Sequence, residues 1–358
     1  MIQHFRFGSP IRTDSVVQDI PVSSDAVPFL TADADGWVYT MAPDAIVYGL
    51  GEMPRGINKR GWHYVANNTD ESHHGENKVS YYGAHNFLLI DGGPGGDLFG
   101  VFVDFPGKVH YDIGYTVHDT LRFATEEPDY ELYILTGADL NDIAHQFRQL
   151  IGRSYIPPKW AFGLQQSRWG YKTAEDVREV ARQYKENDLP LDMICMDIDY
   201  MQDYADFTIN KERFPDLAAL AAELKAQGIR LVPIIDAGVR IDPEEPTCTE
   251  GLEKGYFCKK EDGTPFVAAV WPGKAYFADF LRPEVRAWFG HRYKVLTDCG
   301  IEGFWNDMNE PALFYSPDRL KAFLDSMHEL RGQDNIVQEE FFARVVGGAM
   351  GLMNAPED

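Results

Sequence analysis

The spacing of apolar and polar positions changes character once along the chain. Up to about residue 145 it reads as short runs rich in Val, Ile, Tyr and Phe, such as "GWVYTM", "AIVYGLGE", "NFLLIDGGPGGDLFGVFVDF" and "YELYILTG", separated by Gly, Asp and Pro clusters. Short strands punctuated by turns predict a β-sandwich over 1–145, followed by a linker over 146–157. From 158 onward strands and helices alternate. "AFGLQQS" is strand-like, and Thr173 with Asp176 three residues on has the form of a capping box. Val177, Val180, Ala181 and Tyr184 then recur at helical spacing, and Pro190 follows the end. "DMICMDID" predicts the next strand. Leu217, Leu220, Ala221 and Leu224 give another helical face, Gly228 sits where a helix-ending glycine belongs, and "IRLVPIID" gives a third strand. After a long loop, "PEVRAWFGHRYKVLTDCG" reads as a helix leading into a fourth strand, "IEGFWND". Serial βα units with apolar strands imply a parallel sheet, either open or closed into a barrel.

The strand ends point to the barrel. Asp197, Asp236 and Asp307 each end a successive predicted strand, which gathers three carboxylates at one rim, and (β/α)8 barrels build their sites on that C-terminal rim. Trp169, Trp271 and Trp305 fall at or near strand ends or in the loops that follow, where flat indoles could stack on a sugar ring. Carboxylates with aromatics suit a carbohydrate pocket better than a metal site: the predicted barrel strands carry no histidine, and the adjacent His73 and His74 are poorly spaced to share an ion. No metal and no cofactor is expected.

Composition narrows the partners. At 358 residues, 44% hydrophobic and 25% charged, the chain is long enough for a large core or two domains. A net charge of -23 with no basic stripe disfavours nucleic acid. The start "MIQHFRFGSP" lacks the signal-peptide pattern, and no apolar run reaches membrane-spanning length, so no membrane partner and a cytoplasmic location are expected. Four cysteines without a C-x-x-C pair do not make a disulfide framework. Cys195 reads as a buried thiol, and a reducing cytoplasm argues against a Cys248–Cys258 bridge. The oligomeric state stays open, a homo-oligomer included.

"GFWNDMNEP" (303–311) resembles the signature of glycoside hydrolase family 31, the α-glucosidase and α-xylosidase family. "NNTDES" (67–72), "MDIDYM" (196–201), "PIIDAGV" (233–239) and "WPGKAYFADF" (271–280) are similar to its other motifs, in the family's order. The resemblance spans nearly the whole chain and implies an N-terminal β-sandwich followed by a (β/α)8 barrel, of which about four βα units are present. It implies Asp307 as the nucleophile of a retaining reaction on terminal α-linked glucose, in oligosaccharides of the maltose or isomaltose type. Asn309-Glu310-Pro311 also resembles the Asn-Glu-Pro of retaining β-glycosidases, where the Glu is the acid/base. The upstream motifs do not fit that clan, so Glu310 is read as supporting Asp307. The resemblance further implies that Asp197 grips a sugar hydroxyl with Ile198 as apolar wall beside it. Asp236, Trp271, Trp305 and Met308 would line the same subsite, and Asp70 would reach in from a loop of the sandwich. Trp169, after the first barrel strand, is placed to narrow the entrance and tune the linkage accepted.

The family's acid/base Asp lies in a Gly-Asp-Asn segment that this sequence does not contain, nor does it contain the remaining barrel strands. The chain is therefore expected to be an N-terminal portion of a longer enzyme and inactive in isolation. An α-xylosidase, a sugar-binding fragment without turnover and a metal-dependent barrel hydrolase are the alternatives.

Overall fold

The structure is a computed structural model that describes residues 1–353 except 72 and 332–334; Ser72, at the end of the "NNTDES" motif, lies outside the described residues. It divides into two compact units, Met1–Tyr155 and Ile156–Asp358.

The first unit has two antiparallel sheets. One has the order β1 (Ile2–Phe7), β10 (Tyr130–Thr136), β7 (Leu98–Asp104), β6 (Phe87–Asp91) and β4 (Ile46–Gly49). The other runs β2 (Thr31–Asp33), β3 (Gly36–Thr40), β9 (Thr120–Thr125), β8 (Val109–Ile113) and β5 (Trp62–Ala66). Side chains alternate between faces along a strand, and here both sets are apolar in the first sheet. Leu88, Ile90, Val101, Leu132 and Ile134 meet Tyr64, Tyr111, Leu121 and Phe123 of the other sheet in the sandwich core. Their neighbours Phe102, Tyr133 and Leu135 turn outward onto α1 (Leu140–Leu150), where Phe87 and Phe147 stack with centroids 3.7 Å apart. Burial on both faces explains why these strands read as continuous apolar runs. Helix α1, capped by Asp139 accepting from the Asp142 N–H, runs through 146–150 of the expected linker. Its buried Ile143 and Leu150 hold those residues in the first unit.

The second unit is built on a four-stranded parallel sheet in the order β11 (Gln165–Arg168), β12 (Met193–Met196), β13 (Arg230–Ile235) and β17 (Trp305–Asn306). The first two connections each carry one α-helix. Helix α2 (Ala174–Glu186) opens on the expected capping box, with Thr173 and Asp176 satisfying each other's backbone N–H. α3 (Leu217–Ala226) ends before Gly228, at φ +87°. Ile194, Met196, Leu231 and Ile235 pack against Val177, Ala181, Leu217, Leu220, Ala221 and Leu224 on the helix side. Between β13 and β17, where a plain loop was expected, stand α4 (Pro246–Glu253) and a small antiparallel sheet. Its strands are β14 (Gly238–Arg240), β15 (Val267–Val270) and β16 (Gly273–Phe277), in the order β14-β16-β15. The helix predicted after it divides into α5 (Pro283–Arg292) and α6 (Lys294–Thr297), and α7 (Pro317–Leu330) follows the last parallel strand.

Candidate active site

The register of the parallel sheet decides which side chains share a face. Gln165 lies beside Met193, Met193 beside Arg230, and Ile234 beside Trp305. Neighbours across a sheet share a face, and so do alternate residues along a strand. Trp169, Asp197, Asp236, Trp305 and Asp307 therefore fall on the face away from the helices, the aspartates one residue past their strands. The lower part of that face is closed by Met193, Cys195, Val232, Trp160 and Trp305. The Asp307 N–H donates to Ile235 O at 3.0 Å, which carries the β13–β17 ladder one residue further and holds Asp307 alongside Asp236. Tyr293 of the helix layer donates to Asn306 Oδ1 at 2.5 Å and anchors the short last strand from behind.

The carboxylates differ in their surroundings. Asp197 is half-buried, and its carboxylate accepts from the Ile198 N–H at 2.8 Å, capping the turn Ile198–Tyr200. Burial raises its pKa, and the like charges of Asp307 and Asp199 add to that. Asp236 is 2% exposed and neither carboxyl oxygen has a hydrogen-bond partner among the described residues. Burial first, then Asp206, Asp307 and Asp197, push its pKa up to about 8. Asp206, 5% exposed, was not foreseen; it accepts from the Asp236 N–H at 3.0 Å, and burial raises its pKa to about 7. Tyr200, also buried, donates to Ile234 O at 2.8 Å and ties the loop after β12 to β13.

The inserted sheet supplies the aromatic wall. Trp271 sits at the tip of the β15–β16 hairpin, with its ring centroid 5.2 Å from Trp169, 6.4 Å from Tyr204 and 5.1 Å from Phe314. The hairpin is fixed to the segment after the last strand: Ala269 N–H donates to Tyr315 O at 2.7 Å and Phe314 N–H to Ala269 O at 2.9 Å. Trp169 remains 56% exposed and Trp271 36%, so the cluster has open faces. Met308, beside Asp307, is buried against Val270, Ala275 and Phe277. Five non-glycine residues with positive φ, Asp203, Tyr204, Phe207, Ala237 and Met308, lie in the loops after β12, β13 and β17. Such backbone persists only where the surroundings over-determine it, and it gathers at functional sites.

Other expected site residues fall elsewhere. Ile198 is 1% exposed inside the core of the second unit, and Glu310 is half-buried in the turn after Met308. Asp70 belongs to the first unit, where it accepts from Tyr82 Oη at 3.2 Å. A cleft of about 750 Å³ in the first unit gathers His4, Arg6 and Glu131, but these groups engage one another: Arg6 Nε donates to Glu131 Oε1 at 2.8 Å, and His4 Nε2 lies 3.4 Å from the same oxygen. Sequence reasoning missed Tyr204, Asp206 and Phe314. Alternation in "VAAVWPGKAYF" could have flagged the hairpin, whereas no local pattern marks Asp206, whose partner backbone lies 30 residues later.

Comparison with known proteins agrees with the fold. A family model described as the glycosyl hydrolases family 31 TIM-barrel domain matches residues 154–338, and one described as the glycosyl hydrolase 31 N-terminal galactose mutarotase-like domain matches 21–112. Alpha-glucosidase 2 of Bacillus thermoamyloliquefaciens is 42% identical over 269 residues, covering 75% of this chain and 34% of that protein. Alpha-xylosidase 1 of Arabidopsis thaliana is 31% identical over 285 residues, 77% of this chain and 31% of that protein. Among solved structures, a Flavobacterium johnsoniae GH31 dextranase complexed with glucose matches with a TM-score of 0.69 at 25% identity, over 90% of this chain and 40% of that one. The chain spans about a third of the length of these curated relatives.

Proposed function

The chain belongs to glycoside hydrolase family 31, and from that membership we propose that it carries the nucleophile half of a retaining exo-α-glucosidase site. One observation carries the reading: the sheet register puts Asp197, Asp236 and Asp307 on one face at the strand ends, next to an aromatic wall of Trp169, Trp271 and Phe314. In the proposed reaction the Asp307 carboxylate attacks the anomeric carbon of a terminal α-linked glucose as the bond to the leaving oxygen breaks. A β-glucosyl ester forms, and water then opens it with net retention. A second carboxyl group, roughly 5–5.5 Å from the first, must protonate the leaving oxygen and later deprotonate the water. We assign that role to the family's Gly-Asp-Asn segment, which this sequence lacks. The 358-residue chain by itself is thus expected to bind sugar without turning it over.

Asp197, half-buried and accepting the Ile198 N–H, has lone pairs left for a sugar hydroxyl. The exposed faces of Trp271 and Trp169 suit the apolar face of a pyranose and of the unit attached to it. Trp305 and Met308 then shape the subsite, and Glu310 supports Asp307. The four free cysteines fit a reducing compartment such as the cytoplasm. Similarity to an alpha-xylosidase keeps α-xylosides as the second substrate class.

Calorimetry tests the reading. Maltose or isomaltose should bind one per chain, more tightly than an aryl α-xyloside, and Trp271→Ala should weaken binding about tenfold, or about 1.4 kcal/mol. Tighter binding of the xyloside would favour the xylosidase reading. Hydrolysis of an aryl α-glucoside at an enzyme-like rate by the 358-residue chain would contradict the need for a second carboxyl group from outside this sequence.

A further inference from the structure

We propose that Tyr204 is a positioning residue for Trp271, holding its indole in place for a sugar ring. The use of the indole rests on the proposed sugar site; the contact that fixes it does not.

The chain after β12 is bent hard at this point. Asp203 and Tyr204 follow one another at φ +51° and +59°, in the left-handed region where bulky side chains are rarely found. Backbone of this kind persists only where its surroundings over-determine it, and here the constraints can be named. Gln202 N–H donates to Thr208 Oγ1 at 2.9 Å, Thr208 Oγ1 donates to Ala205 O, and Ala205 N–H donates to Gln202 O at 3.0 Å, which closes the loop on itself. Arg240 Nη1 then donates to Asp203 Oδ2 at 3.4 Å. Arg240 belongs to β14, which pairs with β16, the returning strand of the hairpin that carries Trp271. The strained pair is thus tied to the inserted sheet twice, by Asp203 through an ion pair and by Tyr204 through its ring.

The ring contact has a defined geometry. Tyr204 and Trp271 meet in a T-shaped pair, with centroids 6.4 Å apart and planes at 69°, an arrangement in which aromatic rings attract beyond their burial. Trp169 lies against the same indole at 51° and Phe314 at 88°. Rings from the loops after β11, β12 and β17 therefore surround a side chain at a hairpin tip, and still leave it 36% exposed. A platform ordered before its ligand arrives loses no further side-chain freedom on binding. The strain at Tyr204 has a use in this arrangement: with relaxed backbone its Cα–Cβ bond would leave the chain in another direction.

The first test needs no ligand. Two indoles in contact give an exciton couplet in far-ultraviolet circular dichroism whose size depends on their mutual angle. The couplet of Trp169 and Trp271 is identified as the part of the spectrum lost in Trp271→Ala. Tyr204→Ala should lose most of it, whereas Tyr204→Phe, which keeps the ring, should retain it. An undiminished couplet in Tyr204→Ala overturns the proposal. Should that variant not fold, Tyr204→Leu, which keeps bulk and removes the ring, takes its place with the same expected and contrary results.

Calorimetry then reads the role in binding. Tyr204→Ala should bind maltose about threefold more weakly than the wild type, the scale of one aromatic pair, and Tyr204→Phe should bind it as the wild type does. Combined with Trp271→Ala, Tyr204→Ala should cause no further loss, because a residue that acts through another adds nothing once that other is gone. Losses that multiply in the double variant would show Tyr204 acting by itself and would overturn the positioning role. If the wild type binds no maltose, or Trp271→Ala binds it equally well, the sugar reading fails and the role in binding fails with it. The couplet still decides whether Tyr204 fixes the indole.

Discussion

Asp197, Asp236 and Asp307 have the same side chain at equivalent places on neighbouring strands, yet their surroundings set them to different tasks. Asp307 extends a ladder and stands half-buried, whereas Asp236 is closed off at 2% exposure. Asp307→Asn should therefore abolish covalent labelling, with a loss of roughly 10⁴-fold or more, as expected when a nucleophile is removed. Glu310→Gln should slow labelling without moving its site, as suits a supporting group; peptide mapping checks this. Ala237 holds a left-handed turn directly after Asp236, whose N–H donates to Asp206 at 3.0 Å. Ala237→Val should cost about 1–3 kcal/mol, since a β-branched side chain fits that region poorly, and Ala237→Gly should cost little. Urea unfolding of the two variants distinguishes the outcomes.

The elements that could be read in advance are those whose signal is local. The capping box at Thr173 and Asp176, the apolar stripe of α3 and the glycine after it all lie within a few residues of the helices they define. Thr173→Ala should accordingly lower stability by about 1 kcal/mol, measured by denaturant midpoint, because the Asp176 N–H loses its acceptor. The three strand-end aspartates were legible for a similar reason: apolar runs that stop on an acid mark the strand ends one by one. Elements defined by distant partners were not legible. The β14-β16-β15 sheet is short, and its register is set by pairing with 267–277 and with the segment after Met308. Trp271 stood out in the sequence, but its contact with Trp169 and Phe314 depends on that hairpin. Asp206 was invisible because the Asp236 N–H it accepts comes beside it only once β13 has ended. The last turns of α1, inside the expected linker, carry a buried Leu150 whose partners lie on β7 and β10.

At the scale of the whole molecule, the parallel sheet has β11 and β17 as its outer strands, each paired on one side only among the described residues. Open edges invite pairing with another chain, while a net charge of -23 opposes it. Raising the ionic strength from roughly 0.01 to 0.15 M shortens the screening length from about 30 to about 8 Å. The mean mass of the 358-residue chain in light scattering should therefore rise with salt; a mass that stays monomeric would show that the edges are protected in solution.

The central claim, that Asp307 is a glycosyl-accepting nucleophile, is tested most directly by incubating the protein with a 5-fluoro-α-glucosyl fluoride and recording the intact mass. Fluoride leaves without needing a proton donor, so a chain that lacks the second carboxyl group remains a fair subject. One added fluoroglucosyl unit, mapped to the peptide carrying Asp307 and absent from Asp307→Asn, is the predicted result. A label on another residue, or an unmodified mass under conditions where calorimetry shows glucose bound, would contradict it.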